Sequence, residues 1–169
     1  IYAFQGVQDW LDMKRSVFDE TSQYFELVTS YRNTVEIMNL AESCAMRHSK
    51  NRTPAKPVLR HGGLPKLIKS NHSAKDIAAE IKKHKANNMK SIAVIEKMPR
   101  DCKKLYKELK KEIPDIKILD DKDTVYQGGI MVMPAYLCKG LEFDCVIIAN
   151  CECNNFTDDF LHSRLLYVC

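Results

Sequence analysis

The chain has 169 residues, 26 Lys and Arg against 22 Asp and Glu, 45% hydrophobic and 28% charged residues. That length is room for one domain or a small pair, and the composition is that of an ordinary globular chain. It excludes a disordered segment, a collagen-like repeat and a low-complexity tail. No apolar run approaches the ~20 residues of a membrane helix. The first ten residues, IYAFQGVQDW, have neither the basic start nor the apolar core of a signal peptide. The chain opens at Ile1 without Met and stops at Cys169, as expected of an excised piece. Its seven cysteines form no CxxC pair and read as reduced thiols of a cytoplasmic protein.

In chain order, residues 24–29 (YFELVT) read as a strand. Asn33 then reads as an N-cap with Glu36 three residues on, a capping box. The helix that follows places Ile37, Leu40, Ala41 and Cys44 on one face. Residues 47–56 are a basic loop, and PVLRHGGLPKLIK holds a short strand near Lys66–Lys69. Ser73 with Asp76 opens a second helix whose apolar face is Ile77, Ala78 and Ile81. SIAVIE (91–96) is nearly continuously apolar, the pattern of a strand covered on both faces. Pro99 starts a third helix carrying Cys102, Leu105, Tyr106 and Leu109 at helical spacing. IKIL (116–119), IMVM (130–133) and CVIIAN (145–150) are further strands. Strands alternating with helices predict an α/β domain in which these five strands form one mostly parallel sheet. The lysine-rich helix faces, interleaved with acids, read as solvated outer surfaces.

Ligands of open α/β sheets bind beyond the carboxyl ends of the strands. After the first strand stand Tyr31 and Arg32: a ring to stack on a base and a guanidinium to fork onto phosphate, or a surface Tyr-Arg at a tight turn. After IMVM the segment 134–144 supplies Lys139, Gly140 and Glu142. These offer a cation, a close-approaching backbone and an acceptor for a sugar hydroxyl; a capped connection with a structural Glu is the alternative. On this reading Tyr31, Arg32, Lys139 and Glu142 gather at one sheet edge. The sequence has no GxxxxGK[ST], so it carries no triphosphate cradle of its own, and Mg²⁺ ligands are not expected in it. It has no HExxH or GxSxG, and its five histidines sit in polar segments; no metal site is expected.

Four segments in order resemble superfamily 1 helicases of the UvrD/Rep/PcrA type. IYAFQG (1–6) resembles the end of motif III, SYRNTVEIMNLA (30–41) motif IV, MPAYLCKGLEFDCVIIAN (133–150) motif V with its KGLEFD hallmark, and RLLYVC (164–169) the start of motif VI. About ninety residues between motifs IV and V, Pro134-Ala135-Tyr136-Leu137, and Arg60-His61-Gly62 with Pro65 look most like the HelD (helicase IV-like) branch. The resemblance implies a RecA-like three-layer sandwich with helices on both faces of a mostly parallel sheet. Residues 1–22 would be the tail of the first motor domain and a connecting helix. Residues 23–169 would be the second RecA-like domain, truncated within motif VI. It implies ATP with Mg²⁺ bound between two motor domains, the first of them lying upstream in cis and supplying the Mg²⁺ ligands. Tyr31 would stack on adenine, Arg32 would reach the γ-phosphate as the catalytic residue, and Glu142 would bind ribose beside Lys139 and Gly140. Tyr2, Phe4, Pro134 and Tyr136 would face single-stranded or partly duplex DNA. The function implied is an ATP-dependent DNA helicase or translocase, inactive as this piece alone. The alternatives are a HelD-like ATPase that releases RNA polymerase from nucleic acid, and a non-catalytic α/β binding module.

Overall fold

The computed structural model describes residues 10–19, 21–23, 25–48, 53–121 and 128–169. Tyr2 and Phe4 lie outside the described residues. The chain divides into two compact units. One holds the described residues up to Leu67 with Asp158–Tyr167; the other holds Ile68–Thr157 with Val168 and Cys169.

In the first unit, helix α1 (Trp10–Val17) precedes strand β1 (Thr29–Ser30). Helix α2 (Val35–Met46) follows, then strand β2 (Lys56–Pro57). β1 and β2 pair in parallel, Thr29 opposite Lys56. The strand expected over 24–29 is therefore short, shifted to its far end, and part of this two-stranded sheet rather than of the larger one. Phe25 and Leu27, which would face a core in a central strand, are 79% and 99% exposed. α2 begins one residue after Thr34, which makes no side-chain cap bond; Asn33 is not the cap. The helix buries Met38 and Ala45 and leaves Ile37 and Leu40 exposed, a face rotated from the expected one. Residues 61–70 are irregular and exposed, so no strand forms near Lys66–Lys69. Pro65 has no amide hydrogen to give a ladder, and no partner strand runs beside the segment among the described residues. A last helix, α5 (Phe160–Val168), carries Arg164 over the Phe160 ring at 4.0 Å.

The second unit opens with α3 (Ser73–Ala86), β3 (Ile92–Glu96) and α4 (Pro99–Glu112). β4 (Lys117–Ile118), β5 (Ile130–Pro134) and β6 (Cys145–Ile148) follow. The four strands form one parallel sheet in the order β4-β5-β3-β6. Ile92 stands opposite Ile130 on one side and Cys145 on the other. α3 and α4 cover one face: Ile77, Ala78 and Ile81 from α3 and Cys102, Leu105 and Leu109 from α4 pack on Ile92, Val94, Ile130 and Val132. Ile81 and Leu109 are fully buried, each worth about 1.5–3 kcal/mol of transfer free energy. Residues alternate between faces along a strand. Ala93, Ile95, Met131 and Met133 therefore point the other way, and they are no more than 2% exposed. A sheet buried on both faces is what continuously apolar strands require. The α/β class, with a parallel sheet flanked by helices, is the one the sequence predicts. Pro99 is the first residue of α4, as expected, whereas Ser73 is the first residue of α3 and His72 precedes it without a cap bond. Asp76 accepts from Ser70 Oγ at 2.5 Å instead of closing a capping box. All seven cysteines are free thiols. Among the described residues no helix is long and apolar enough to cross a membrane.

Candidate functional site

Tyr31 and Arg32 occupy the turn between β1 and α2. Both are exposed, Tyr31 by 75%. The turn is braced by a segment almost thirty residues away. The Arg60 guanidinium donates to the Arg32 carbonyl, and the Val35 amide donates to the Arg60 carbonyl at 3.0 Å. The Glu36 carboxylate accepts from His61 Nδ1 at 2.8 Å and from the Gly62 amide at 2.9 Å. Those two bonds, His61 first, hold the Glu36 carboxyl down at about 2. A Cβ on Gly62 would meet Thr34 Cγ2 at 2.7 Å, so only glycine fits the brace. The sequence marks Glu36 as a local cap; its acceptors serve this long-range brace instead.

In the second unit Pro134 ends β5, opposite Glu96 at the end of β3. Pro134 is fully buried, so its ring belongs to the core and offers no face to a ligand. A 3₁₀ turn, Ala135–Leu137, carries Tyr136, which is part-buried and donates its hydroxyl to Asp121, 2.8 Å from both carboxylate oxygens. Burial and that carboxylate push the Tyr136 phenol up to about 12. Lys139 and Gly140 form an exposed turn, Gly140 at φ +83°, a value that favours glycine. Glu142 is exposed. Asp144 closes the segment by accepting from the Lys90 and Ser91 amides at 2.8 and 2.9 Å, which lowers its carboxyl. The KGLEFD segment is thus divided: Lys139 to Glu142 lie outward, and Asp144 is structural.

The carboxyl edge of the sheet also holds a group that the sequence reading passed over. Glu96 is 1% exposed and accepts from Asn150 Nδ2 at 2.6 Å through one oxygen, while Oε2 has no partner. Desolvation, with Asp101 nearby, raises its carboxyl to about 6. Lys97 beside it donates to the Asn155 carbonyl at 2.6 Å and lies over the Phe156 ring at 5.8 Å. Asn150, at φ +49°, and Asn155 are joined by a 3.0 Å bond. The acid at the end of SIAVIE was the available signal, one charge closing an apolar run.

Tyr31 and Arg32 belong to one unit, and Tyr136, Lys139, Gly140 and Glu142 to the other. β1 pairs with β2 and not with the four-stranded sheet, so the strand that leads to Tyr31 and Arg32 is not part of the sheet that leads to Lys139 and Glu142.

No protein-family model matches the chain, and no curated protein matches it. A solved structure does: the C-terminal domain of a possible DNA helicase from Lactobacillus strain WCFS1, at 24% identity and a TM-score of 0.64. The match covers 82% of this chain and 79% of that one. At that identity the likeness is one of fold, and the fold is that of the α/β class already described.

Proposed function

We propose that the chain is motor-domain material of an ATP-dependent DNA helicase of superfamily 1, nearest the HelD branch. The observation that carries this reading is the structural likeness to the C-terminal domain of a possible DNA helicase over 82% of the chain. The order of Tyr31-Arg32, KGLEFD and RLLYV along the chain supports the superfamily. An exposed ring and guanidinium on a braced turn suit half of a nucleotide site. Tyr31 stacks on the base and Arg32 sets its charge against the phosphate oxygens. In the other unit, Glu142, Lys139 and the open Gly140 backbone are the sugar-contacting groups that the KGLEFD likeness implies. Bound ATP supplies the transferable phosphoryl group, and Mg²⁺ neutralises its charge. The triphosphate cradle has no counterpart in this sequence, and on this reading it and the Mg²⁺ ligands come from a separate motor domain. On the nucleic-acid side the exposed part of the Tyr136 ring offers a stacking surface for a single strand.

The test is Arg32→Ala in the protein joined to the domain that carries the triphosphate loop. An arginine acting in the transition state is worth roughly 10³–10⁵ in turnover. The expected result is a loss of that order in kcat with ATP affinity almost unchanged. Equal losses in affinity and turnover would remove Arg32 from the transition state.

A further inference from the structure

The amino-terminal edge of the four-stranded sheet, opposite the edge where Pro134 and Glu96 end their strands, holds an open cleft of about 520 Å³. Lys85, Lys90 and Lys117 line it, with Asp115 and the backbones of Gly128 and Gly129. The topology gathers them. Lys85 is in the last turn of α3, Lys90 leads into β3, Lys117 starts β4, and the glycines lead into β5. In the order β4-β5-β3 the amino ends of parallel strands lie side by side. Residues more than thirty positions apart thus come to one place.

Three features suit a phosphate-bearing ligand. Among the described residues the lining carries three lysines against one carboxylate. Lys85 and Asp115 form an exposed pair at 2.8 Å, and such a pair contributes only about 0–1 kcal/mol. A phosphate oxygen can replace Asp115 at little cost. Gly128 and Gly129 have φ of +68° and +87°, and a Cβ on either would meet nothing within 4 Å. Their backbone is bare on the open side, where a ligand can approach closely. Among the described residues the lining contains no aromatic ring, so these residues read phosphate rather than bases. Asp144, on the same edge, accepts from the Lys90 and Ser91 amides and so fixes the backbone that carries Lys90.

We propose that this cleft binds the phosphate backbone of a nucleic-acid strand, at a site separate from Tyr136 and Lys139. The inference does not rest on the motor reading, because it requires neither ATP nor a second domain.

The experiment is fluorescence anisotropy of the 169-residue chain with labelled oligothymidylate at several salt concentrations, without nucleotide. Removing two phosphate contacts with Lys90→Ala/Lys117→Ala should weaken binding roughly tenfold and flatten the log–log salt slope by about 1.4. Asp115→Asn should tighten binding about two- to fivefold, because it removes a negative charge from the cleft. A misfolded protein would not gain affinity, so this variant also controls for folding. Lys103→Ala/Lys107→Ala, the same charge change on exposed positions of α4, should leave binding unchanged. The proposal is overturned if the α4 pair weakens binding as much as the cleft pair, if Asp115→Asn has no effect, or if the parent chain does not bind oligothymidylate. None of these results bears on the role of Arg32 in ATP turnover. Its test can fail while this one succeeds, and the reverse.

Discussion

A carboxyl group buried at the end of a central strand makes stability depend on pH in the direction opposite to a surface acid. Glu96 is raised from 4.5 to about 6, a difference of roughly 2 kcal/mol between its protonation states. A raised pKa means that the folded chain holds the proton more tightly than the unfolded one. The contribution is complete below about pH 4.5 and is lost as pH rises through about 6. Glu96→Gln keeps an acceptor for Asn150 Nδ2 and removes the titration. Urea unfolding at pH 5 and pH 8 should show the variant gaining on the parent by about 2 kcal/mol at the higher pH only. Parallel stability curves for the two proteins would show that Glu96 does not titrate as described. The sequence displayed this residue plainly at the end of SIAVIE, but only its strand neighbours Pro134 and the Asn150 turn show that it is buried. Periodicity reports which face a residue takes, not whether water reaches the end of the strand.

At the scale of elements, the amino end of α2 is held by residues 60–62 rather than by a cap. The spacing of Asn33 and Glu36 matched a capping box, yet Glu36 spends both oxygens on His61 and Gly62, more than twenty residues away. A local pattern cannot reveal a partner that the fold brings from a distance. The same limit explains strand 24–29, whose apolar content is real but whose pairing, among the described residues, is with β2 alone. Gly62→Ala places a methyl group 2.7 Å from Thr34 Cγ2, an overpacking that costs about 1–3 kcal/mol. Thr34→Ser removes that methyl group, so Gly62→Ala should cost markedly less in a Thr34→Ser background; thermal unfolding of the four proteins measures it. Equal costs in both backgrounds would mean that the two residues do not meet. Glu36 gives the brace its own pH limit. Its carboxyl lies at about 2 in the folded chain, against an ordinary 4.5. The depressed value means that the brace is intact above pH 4.5 and is lost as pH falls towards 2. Amide exchange at Gly62 should quicken over that acid window while β3 amides remain protected.

For the whole molecule, the central sheet was legible and the division into two units was not. β3, β5 and β6 are continuous apolar runs, and the crossovers between strands are long enough for parallel pairing, so class and direction follow from pattern alone. The assignment of Tyr31 and Arg32 to a different unit from Lys139 and Glu142 depends on which strand β1 joins, and two residues of strand carry little pattern. This division bears on catalysis. Phosphoryl transfer from ATP needs a phosphate cradle, Mg²⁺ ligands and a residue that orients water. This chain has Arg32 and outward polar groups at Lys139 and Glu142, but no GxxxxGK[ST], and Asp121, in the acid pair that follows IKIL, accepts the Tyr136 hydroxyl. A guanidinium can stabilise a transition state only where the phosphate is already held in line, so charge on these residues alone gives no turnover. The purified 169-residue chain should therefore release no phosphate from ATP above the level of its Arg32→Ala variant, with or without Mg²⁺ and single-stranded DNA. Supplying the separate domain that carries the cradle should restore Mg²⁺-dependent release, and Arg32→Ala should abolish it. Turnover by the isolated chain that survives Arg32→Ala, and persists through repeated purification, would place the chemistry on residues other than these and end the motor reading.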